Sequence, residues 1–255
     1  MISSKLAGGL GNYLFQIAAA HALSLENGDI SIFDKKNVIS PHKTLDSYQT
    51  NILRNLNYGD FTPERSYKEP SFHYQKIPYN KNLLLMGYFQ SEKYFKDKEE
   101  EIKKLFSIDI QSLNHIKQKY NFLNFSDCTS LHVRRGDYLN YPTIHPTCSL
   151  EYYKKSLEII ESENILIFSD DIPWCKENLK IENKKVFYVT DNEDYIDLWL
   201  MSLCRNNITA NSSFSWWGSW LNLHEDKKII SPSTWFGPSL QHNTKDLYSN
   251  KTIII

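Results

Sequence analysis

The stretch that decides the fold of this 255-residue chain is TSLHVRRGDY, residues 129–138. Its apolar half is typical of a buried strand, and two arginines and a Gly-Asp turn follow. Because arginine binds phosphate through two N–H groups and stays charged, this pair indicates an anion site, with pyrophosphate the leading candidate. Side chains alternate along a strand, so one arginine is free to bind a ligand while the other braces the turn through Asp137. A purely structural Arg–Asp cluster explains the motif equally well.

Strand and helix patterns alternate on the carboxyl side of residue 125. The predicted strands are 129–134, 165–169, 186–189 and 207–210, and the predicted helices are 150–161, capped by Ser149, 193–204 and 214–223. Short apolar strands that alternate with helices predict an α/β fold with a parallel sheet. Ligands of such sheets bind beyond the carboxyl ends of the strands. The polar clusters at 134–138, 169–171 and 211–215 all fall there, which favours the anion site.

The first half of the chain is less regular. It opens with GGLGN, residues 8–12, which leads into a strongly apolar helix. The glycines allow close backbone approach, either for a ligand or for a tight strand–helix turn. Further along, strands are predicted at 30–33 and 83–88, and Ser91 is expected to cap a charged helix over 92–106. The best domain break is residues 121–126.

Composition excludes several classes of protein. The formal net charge is −1, so no global field attracts nucleic acid or anionic membrane. The four cysteines lack the spacing of a zinc site. No segment approaches the roughly 18 apolar residues of a membrane span, and the start lacks the long apolar run of a signal peptide. We therefore expect a cytoplasmic protein with reduced thiols, with peripheral membrane contact left open.

Each polar cluster has a functional and a structural interpretation. In NSSFSWWG, residues 211–218, the serines suit either a phosphate site at a helix N-terminus or a simple helix cap, and the tryptophans suit a core. Asp170 and Asp171 suit Mg²⁺, the N–H edge of guanine, or a helix cap. His132, inside a strand, is either structural or a ligand contact. His42 and His145 carry no specific signal.

Taken together, the motifs resemble the fucosyltransferases of glycosyltransferase family 11, mainly α-1,2-fucosyltransferases of bacterial type. Three motifs occur in the family's order: GGLGNYLFQ at 8–16, HVRRGDY at 132–138 and NSSFSWWG at 211–218. FSDD at 168–171 and DLWLMSLC at 197–204 fit between them. One departure is Tyr13, where the family usually has glutamine, and this puts acceptor choice in doubt.

The resemblance implies a GT-B-like α/β architecture of two Rossmann-type lobes with a central cleft. Residues 1–124, with the tail 236–255, would form the acceptor-side lobe, and residues 125–235 the GDP-sugar-binding lobe. The implied reaction moves L-fucose from GDP-β-L-fucose, with inversion, to the 2-hydroxyl of a galactose-type oligosaccharide or glycolipid acceptor, as in O-antigen or other carbohydrate biosynthesis. No cofactor or metal is expected, because arginine and helix N–H groups take that place. A membrane-associated enzyme would sit at the inner face of the membrane.

The resemblance also implies site roles. Arg134 and Asn12 are the expected catalytic residues: Arg134 would stabilise charge on the leaving β-phosphate, and Asn12 would position the acceptor hydroxyl. The remaining residues expected to bind the donor are His132, Arg135, Asp137, Asp170, Asp171, Ser212, Ser213, Phe214 and Ser215. Arg135 and Asp137 would in addition hold the turn. The loop expected near acceptor or donor is Gly8, Gly9, Gly11, Asn12 and Tyr13. No general base, natural acceptor or oligomeric state is indicated.

Two other functions remain open on the residues alone. One is a non-catalytic module of the same fold that binds a nucleotide sugar or a glycan. The other is a single-stranded nucleic-acid binder, which the near-neutral charge and the core-type pattern of the aromatic residues disfavour.

Overall fold

The computed structural model describes residues 1–39 and 43–255, so His42 lies outside the described residues. These residues form two compact units: residues 1–112 with 242–249, and residues 113–241 with 250–255. The lobes expected from the sequence, 1–124 with 236–255 and 125–235, have different bounds. Their roles as acceptor and donor lobes stay predictions.

The first unit is built from short parallel strands around one long helix. Its strands and main helices are β1 (Ile2–Ser4), β2 (Leu6–Ala7), α1 (Leu10–Glu26), β3 (Val38–Ile39), β4 (Arg65–Lys68), β5 (Leu83–Met86) and α2 (Glu99–Leu105). Strands β1, β5 and β4 form one sheet in that order, and β2 pairs with β3. Helix α1 packs on β1 and β2, and most of its residues are buried.

Two segments of this unit differ from the sequence-based prediction. Residues 30–33 form only isolated bridges, Ser31 to Ile2 and Phe33 to Tyr58, rather than a strand. Ser91 does cap a helical turn, by accepting a hydrogen bond from the backbone N–H of Lys93. The predicted helix over 92–106 is broken into two 3₁₀ turns and α2, because the backbone leaves helical geometry at the buried Phe95.

The second unit carries a six-stranded parallel sheet. Its elements continue the numbering as β6 (Cys128–Val133), α4 (Leu150–Ile159), β7 (Asn164–Ser169), α5 (Ile172–Asn178), β8 (Lys185–Tyr188), α6 (Asp194–Leu203), β9 (Asn206–Ile208), α7 (Ser213–Trp220), β10 (Ile229–Ser231) and β11 (Thr252–Ile254), and helix α3 (Ile110–Lys119) contains the boundary at residue 112. The strand order is β11-β10-β9-β6-β7-β8. Counted along this unit, that is the 3-2-1-4-5-6 order of the Rossmann fold. The order reverses between β6 and β9, which is where such sheets bind ligands.

Strand β6 is buried along its whole length and separates two cores. On one face Leu131 and Val133 join an apolar cluster with tyrosines of α4 and with residues of β7 and α5. On the other face Ser130 accepts a hydrogen bond from Asn207 Nδ2 at 2.7 Å, and the same nitrogen donates to Met201 O of α6 at 2.8 Å. Because both faces of β6 are covered, the residues of the strand are buried without the alternation of a half-exposed strand.

Among the described residues, no helix is both long enough and apolar enough to cross a membrane.

Candidate active site

The parallel register of β6 and β7 brings the arginine pair to the aspartate pair. His132 is opposite Phe168 and Val133 is opposite Ser169, so the next residues, Arg134 and Asp170, leave neighbouring strands side by side. Arg134 Nη1 lies 2.9 Å from Asp170 Oδ2. The two polar clusters therefore form one site at the carboxyl edge of the sheet.

Arg134 is held by two carboxylates. Besides its contact with Asp170, its Nη2 lies 2.6 Å from Asp137 Oδ1. Its side chain keeps about a third of its surface exposed, at 30%. Each terminal nitrogen of a guanidinium carries a second N–H and Nε a fifth, so Arg134 retains donors for an anionic ligand.

Arg135 points to a different set of partners. Its Nε lies 3.0 Å from Asp171 Oδ2, and its guanidinium lies 3.9 Å from the ring centroid of Trp174. Its backbone N–H donates to Asp170 Oδ1 at 2.9 Å. The prediction that Arg135 braces the turn through Asp137 is wrong: Asp137 pairs with Arg134, and Arg135 is braced by α5.

Asp171 is the N-cap of α5. Its Oδ1 accepts a hydrogen bond from the backbone N–H of Trp174 at 3.1 Å, which is the capping role predicted for one of the two aspartates. Because Asp170 and Asp171 both have arginine partners, a guanine contact by either would have to share its oxygens with the cluster. That role stays a prediction.

Gly136 allows Asp170 to approach the turn. A Cβ at position 136 would lie 2.5 Å from Asp170 Oδ2 and 3.1 Å from its Cγ. Real Cβ atoms do not come so close, so a side chain at position 136 forces the Asp170 carboxylate to shift.

The start of α7 forms the other half of the site, next to β6 across the switch point. Ser212 caps the helix by accepting a hydrogen bond from Phe214 N–H at 3.4 Å. Ser215 Oγ is buried and accepts from Ala210 N–H at 3.2 Å. Ser213, the first residue of the helix, is half-buried. Ser212 and Ser215 thus shape the turn, and the backbone N–H groups of the first turn provide the positive end of a helix dipole.

His132 is buried, and its Nδ1 has no hydrogen-bond partner among the described residues. Its ring lies 5.8 Å from that of Phe214. Burial, reinforced by the charge of Arg134, lowers the pKa of His132 to about 3. The imidazole is therefore neutral at physiological pH and keeps an uncommitted ring nitrogen beside the start of α7.

The glycine-rich motif belongs to the first unit, and only Gly8 and Gly9 precede the helix. The prediction of a loop over Gly8–Tyr13 is wrong for its second half, since Gly11, Asn12 and Tyr13 lie in the first turn of α1. Gly9 is the N-cap and Gly11 is buried. Tyr13 is fully buried and donates through its hydroxyl to Lys43 O at 3.3 Å, so its side chain is part of the core.

Asn12 is oriented by a neighbour from the segment after β5. Gln90 Nε2 donates to Asn12 Oδ1 at 2.8 Å. Gly8 has a positive φ of +89°, and a Cβ there would lie 2.3 Å from Asn12 Nδ2. The glycine therefore makes room for the Asn12 carboxamide.

Sequence reasoning missed two aromatic residues at the arginine pair. Trp174 lies against Arg135, and the Tyr138 ring centroid is 5.3 Å from the Arg134 guanidinium carbon. Tyr138 ends the quoted arginine motif and Trp174 follows the capping Asp171 by three residues, so proximity along the chain was the available signal. In the part of the chain that the structure describes, no group of three or more His, Cys, Asp or Glu side chains is arranged to hold a metal ion.

A Rossmann-ordered sheet with arginines and a helix N-terminus at its switch point defines an α/β protein with a candidate anion site. More particularly, the chain belongs to glycosyl transferase family 11, whose family model matches residues 1–251. It is therefore a glycosyltransferase, as the sequence motifs predicted.

Similar proteins agree with this membership. The O-antigen biosynthesis glycosyltransferase WbnK of Escherichia coli is 32% identical over 97% of this chain and 99% of its own length. An alpha-1,2-colitosyltransferase of Escherichia coli is 29% identical over 92% of each chain. The crystal structure of NodZ alpha-1,6-fucosyltransferase soaked with GDP-fucose matches with a TM-score of 0.56 at 12% identity, over 86% of this chain and 92% of that one. The last likeness confirms the predicted GT-B-like α/β fold.

Proposed function

We propose that this chain transfers L-fucose from GDP-β-L-fucose to the 2-hydroxyl of a galactose-type acceptor and forms an α-1,2 linkage with inversion. The observation that carries the proposal is that Arg134 follows β6 and the start of α7 follows β9, the two strands that flank the switch point of the sheet. A nucleotide diphosphate placed there meets a charged guanidinium and the positive end of a helix dipole together.

Departure of GDP leaves negative charge on the β-phosphate. Arg134 stabilises that charge without reorganising, because Asp137 and Asp170 hold its guanidinium in place before the donor binds. Arg135 and Asp171 support the turn. The neutral His132 offers its uncommitted nitrogen to the donor, and Ser213 with the α7 N–H groups binds the pyrophosphate.

The transition state of this proposal is loose and oxocarbenium-like, so positioning of the acceptor matters more than strong base catalysis. Asn12 takes the positioning role. Its oxygen accepts a hydrogen bond from Gln90, and its Nδ2 group acts only as a donor. No metal is required, since arginine and helix N–H groups neutralise the pyrophosphate.

The first experiment follows GDP release from GDP-fucose with a panel of β-galactosides, including a 2-deoxygalactoside that should not react. Product analysis by NMR reports the anomeric configuration and the linkage. GDP binding without turnover on any acceptor would favour the non-catalytic binding module instead.

A second experiment tests the role of Arg134. Arg134→Ala should lower kcat at least about 100-fold, the scale expected for one preorganised donor. Arg205→Ala is the matched control, since Arg205 precedes β9 at the other end of the strand and pairs with the exposed Asp226. Wild-type turnover by Arg134→Ala would contradict the proposed role of Arg134 in stabilising the leaving β-phosphate.

A second donor is favoured by the relative named alpha-1,2-colitosyltransferase. Both sugars are tested by comparing GDP-fucose with GDP-colitose at equal concentration. A cytoplasmic location, with peripheral contact at the inner face of the membrane, completes the proposal and is tested by fractionating cells that produce the chain.

A further inference from the structure

Tyr138 touches both halves of the candidate donor site. It lies in the 3₁₀ turn Gly136–Asn140, directly after the arginine pair. Its ring centroid is 5.3 Å from the Arg134 guanidinium carbon, and its hydroxyl donates to Asn211 O at 3.0 Å. Asn211 immediately precedes Ser212, the cap of α7. One side chain therefore links the end of β6 to the start of α7.

The Asn211 end of this link is rigid. Asn211 is buried, and its Nδ2 donates to Pro146 O at 2.8 Å and to Trp235 O at 3.0 Å. The Tyr138 ring is fixed as well, because it stacks on the His145 imidazole with a centroid distance of 4.9 Å and an interplanar angle of 22°. Burial raises the pKa of Tyr138 to about 12, so its hydroxyl remains a donor at physiological pH.

An aromatic ring and a carboxylate hold a guanidinium in different ways. Asp137 and Asp170 each occupy an N–H group of Arg134, whereas the ring attracts the cation without consuming a donor. Contact with the ring therefore leaves Arg134 N–H groups for a ligand.

We propose that Tyr138 is a positioning residue that sets the Arg134 guanidinium against the start of α7, so that the β-phosphate of a nucleoside diphosphate is bound by both. This inference rests on the proposed function, because Arg134 is there the group that binds the β-phosphate. Beyond that function, the ring and hydroxyl of Tyr138 determine the distance between the Arg134 guanidinium and the start of α7.

The test uses the full-length chain and three variants. Tyr138→Leu removes the ring and the hydroxyl, and Tyr138→Phe removes only the hydroxyl. Tyr141→Leu is the matched control, since Tyr141 follows the same turn and is 57% exposed. For each protein, calorimetry gives the Kd of GDP and of GMP, and steady-state kinetics gives kcat and the KM for GDP-fucose.

GDP and GMP differ only in the β-phosphate, so the ratio of their Kd values measures how much this phosphate contributes to binding. Tyr138→Leu should reduce this preference for GDP, and kcat with it, by about 10-fold to 100-fold, the scale of a misplaced catalytic group. Tyr138→Phe should reduce both by about 5-fold, the effect of one lost hydrogen bond. Tyr141→Leu should match the wild type.

An unchanged GDP preference and kcat in Tyr138→Leu would overturn the inference. If that variant fails to fold by circular dichroism, Tyr138→Phe decides alone, because it keeps the ring, and wild-type values in it would then overturn the inference. A wild-type chain that binds GDP no better than GMP would instead contradict the proposed role of Arg134 and, with it, the role of Tyr138.

Discussion

The close approach of Gly136 to Asp170 makes Gly136→Ala the sharpest single perturbation of the site. The added Cβ would lie 2.5 Å from Asp170 Oδ2, whereas ordinary contact begins at 3.4 Å. The carboxylate must therefore retreat by roughly 0.9 Å, which breaks or weakens its 2.9 Å contact with Arg134. The backbone of Gly136 is not in the left-handed region, so alanine brings no backbone strain of its own.

The expected loss of stability is small and the expected loss of activity is large. A hydrogen bond to a charged group is worth about 1.5–3 kcal/mol, and the partial exposure of Arg134 and Asp170 reduces this to about 1 kcal/mol. Misplacing a catalytic group by about 1 Å can cost on the order of 10²-fold in rate. We expect kcat for GDP release to fall between about 10-fold and 100-fold.

Two measurements separate the site effect from unfolding. Urea denaturation gives the free energy of unfolding, and the transferase assay gives kcat and the KM for GDP-fucose. Leu139→Ala is the matched control, because Leu139 lies in the same turn and is 51% exposed. If Gly136→Ala kept wild-type kcat and stability, the contact of Asp170 with Arg134 would not matter for function.

Three further predictions concern Gly8 in the first unit, the partly buried carboxyl group of Asp197, and metal ions. Gly8→Ala should lower kcat about 10-fold or more, since a Cβ there collides with Asn12 and alanine is strained at φ +89°; unchanged kinetics would contradict the role of Asn12. Burial raises the pKa of Asp197 to about 6 from 3.8. The folded state therefore favours the protonated carboxyl, and this contribution to stability, fully present below about pH 4, is lost as the pH rises through about 6. Asp197→Asn, which keeps an oxygen for Asn192, should therefore raise the free energy of unfolding near pH 7 by up to about 3 kcal/mol and leave it unchanged near pH 4 in urea titrations; equal pH slopes for both proteins would refute this. EDTA should leave GDP release unchanged, and an abolished reaction would contradict the metal-free proposal.

Local features of the fold could be predicted from the sequence because they depend on neighbouring residues. The strand–helix alternation after residue 125 predicted the parallel sheet, and single polar residues at helix starts predicted the caps Ser91 and Ser149. A β-strand ending in charged residues predicted the place of the arginine cluster at the sheet edge. Each of these signals comes from hydrogen-bonding capacity or side-chain period within a few residues.

Helices with mixed patterns and very short strands were harder to predict. The charged run at 92–106 predicted one helix, but burial of Tyr94 and Phe95 breaks it into shorter turns. Strand β11 has only three residues, and its identity as a strand depends on β10 beside it. Packing over long sequence separations outweighs local preference in both segments.

Sequence alone therefore determined the family, the α/β class and the residues that gather at the carboxyl edge of the six-stranded sheet. Only the tertiary structure decided which partner each charged side chain takes: Asp137 with Arg134, Asp171 with Arg135, and Tyr138 with Asn211. The physical reason is that strand order and register, not the spacing of residues along the chain, determine which atoms come within hydrogen-bonding distance. The 3-2-1-4-5-6 order puts β9 beside β6 although about 70 residues separate the two strands in sequence. The start of α7, which follows β9, therefore lies next to the end of β6.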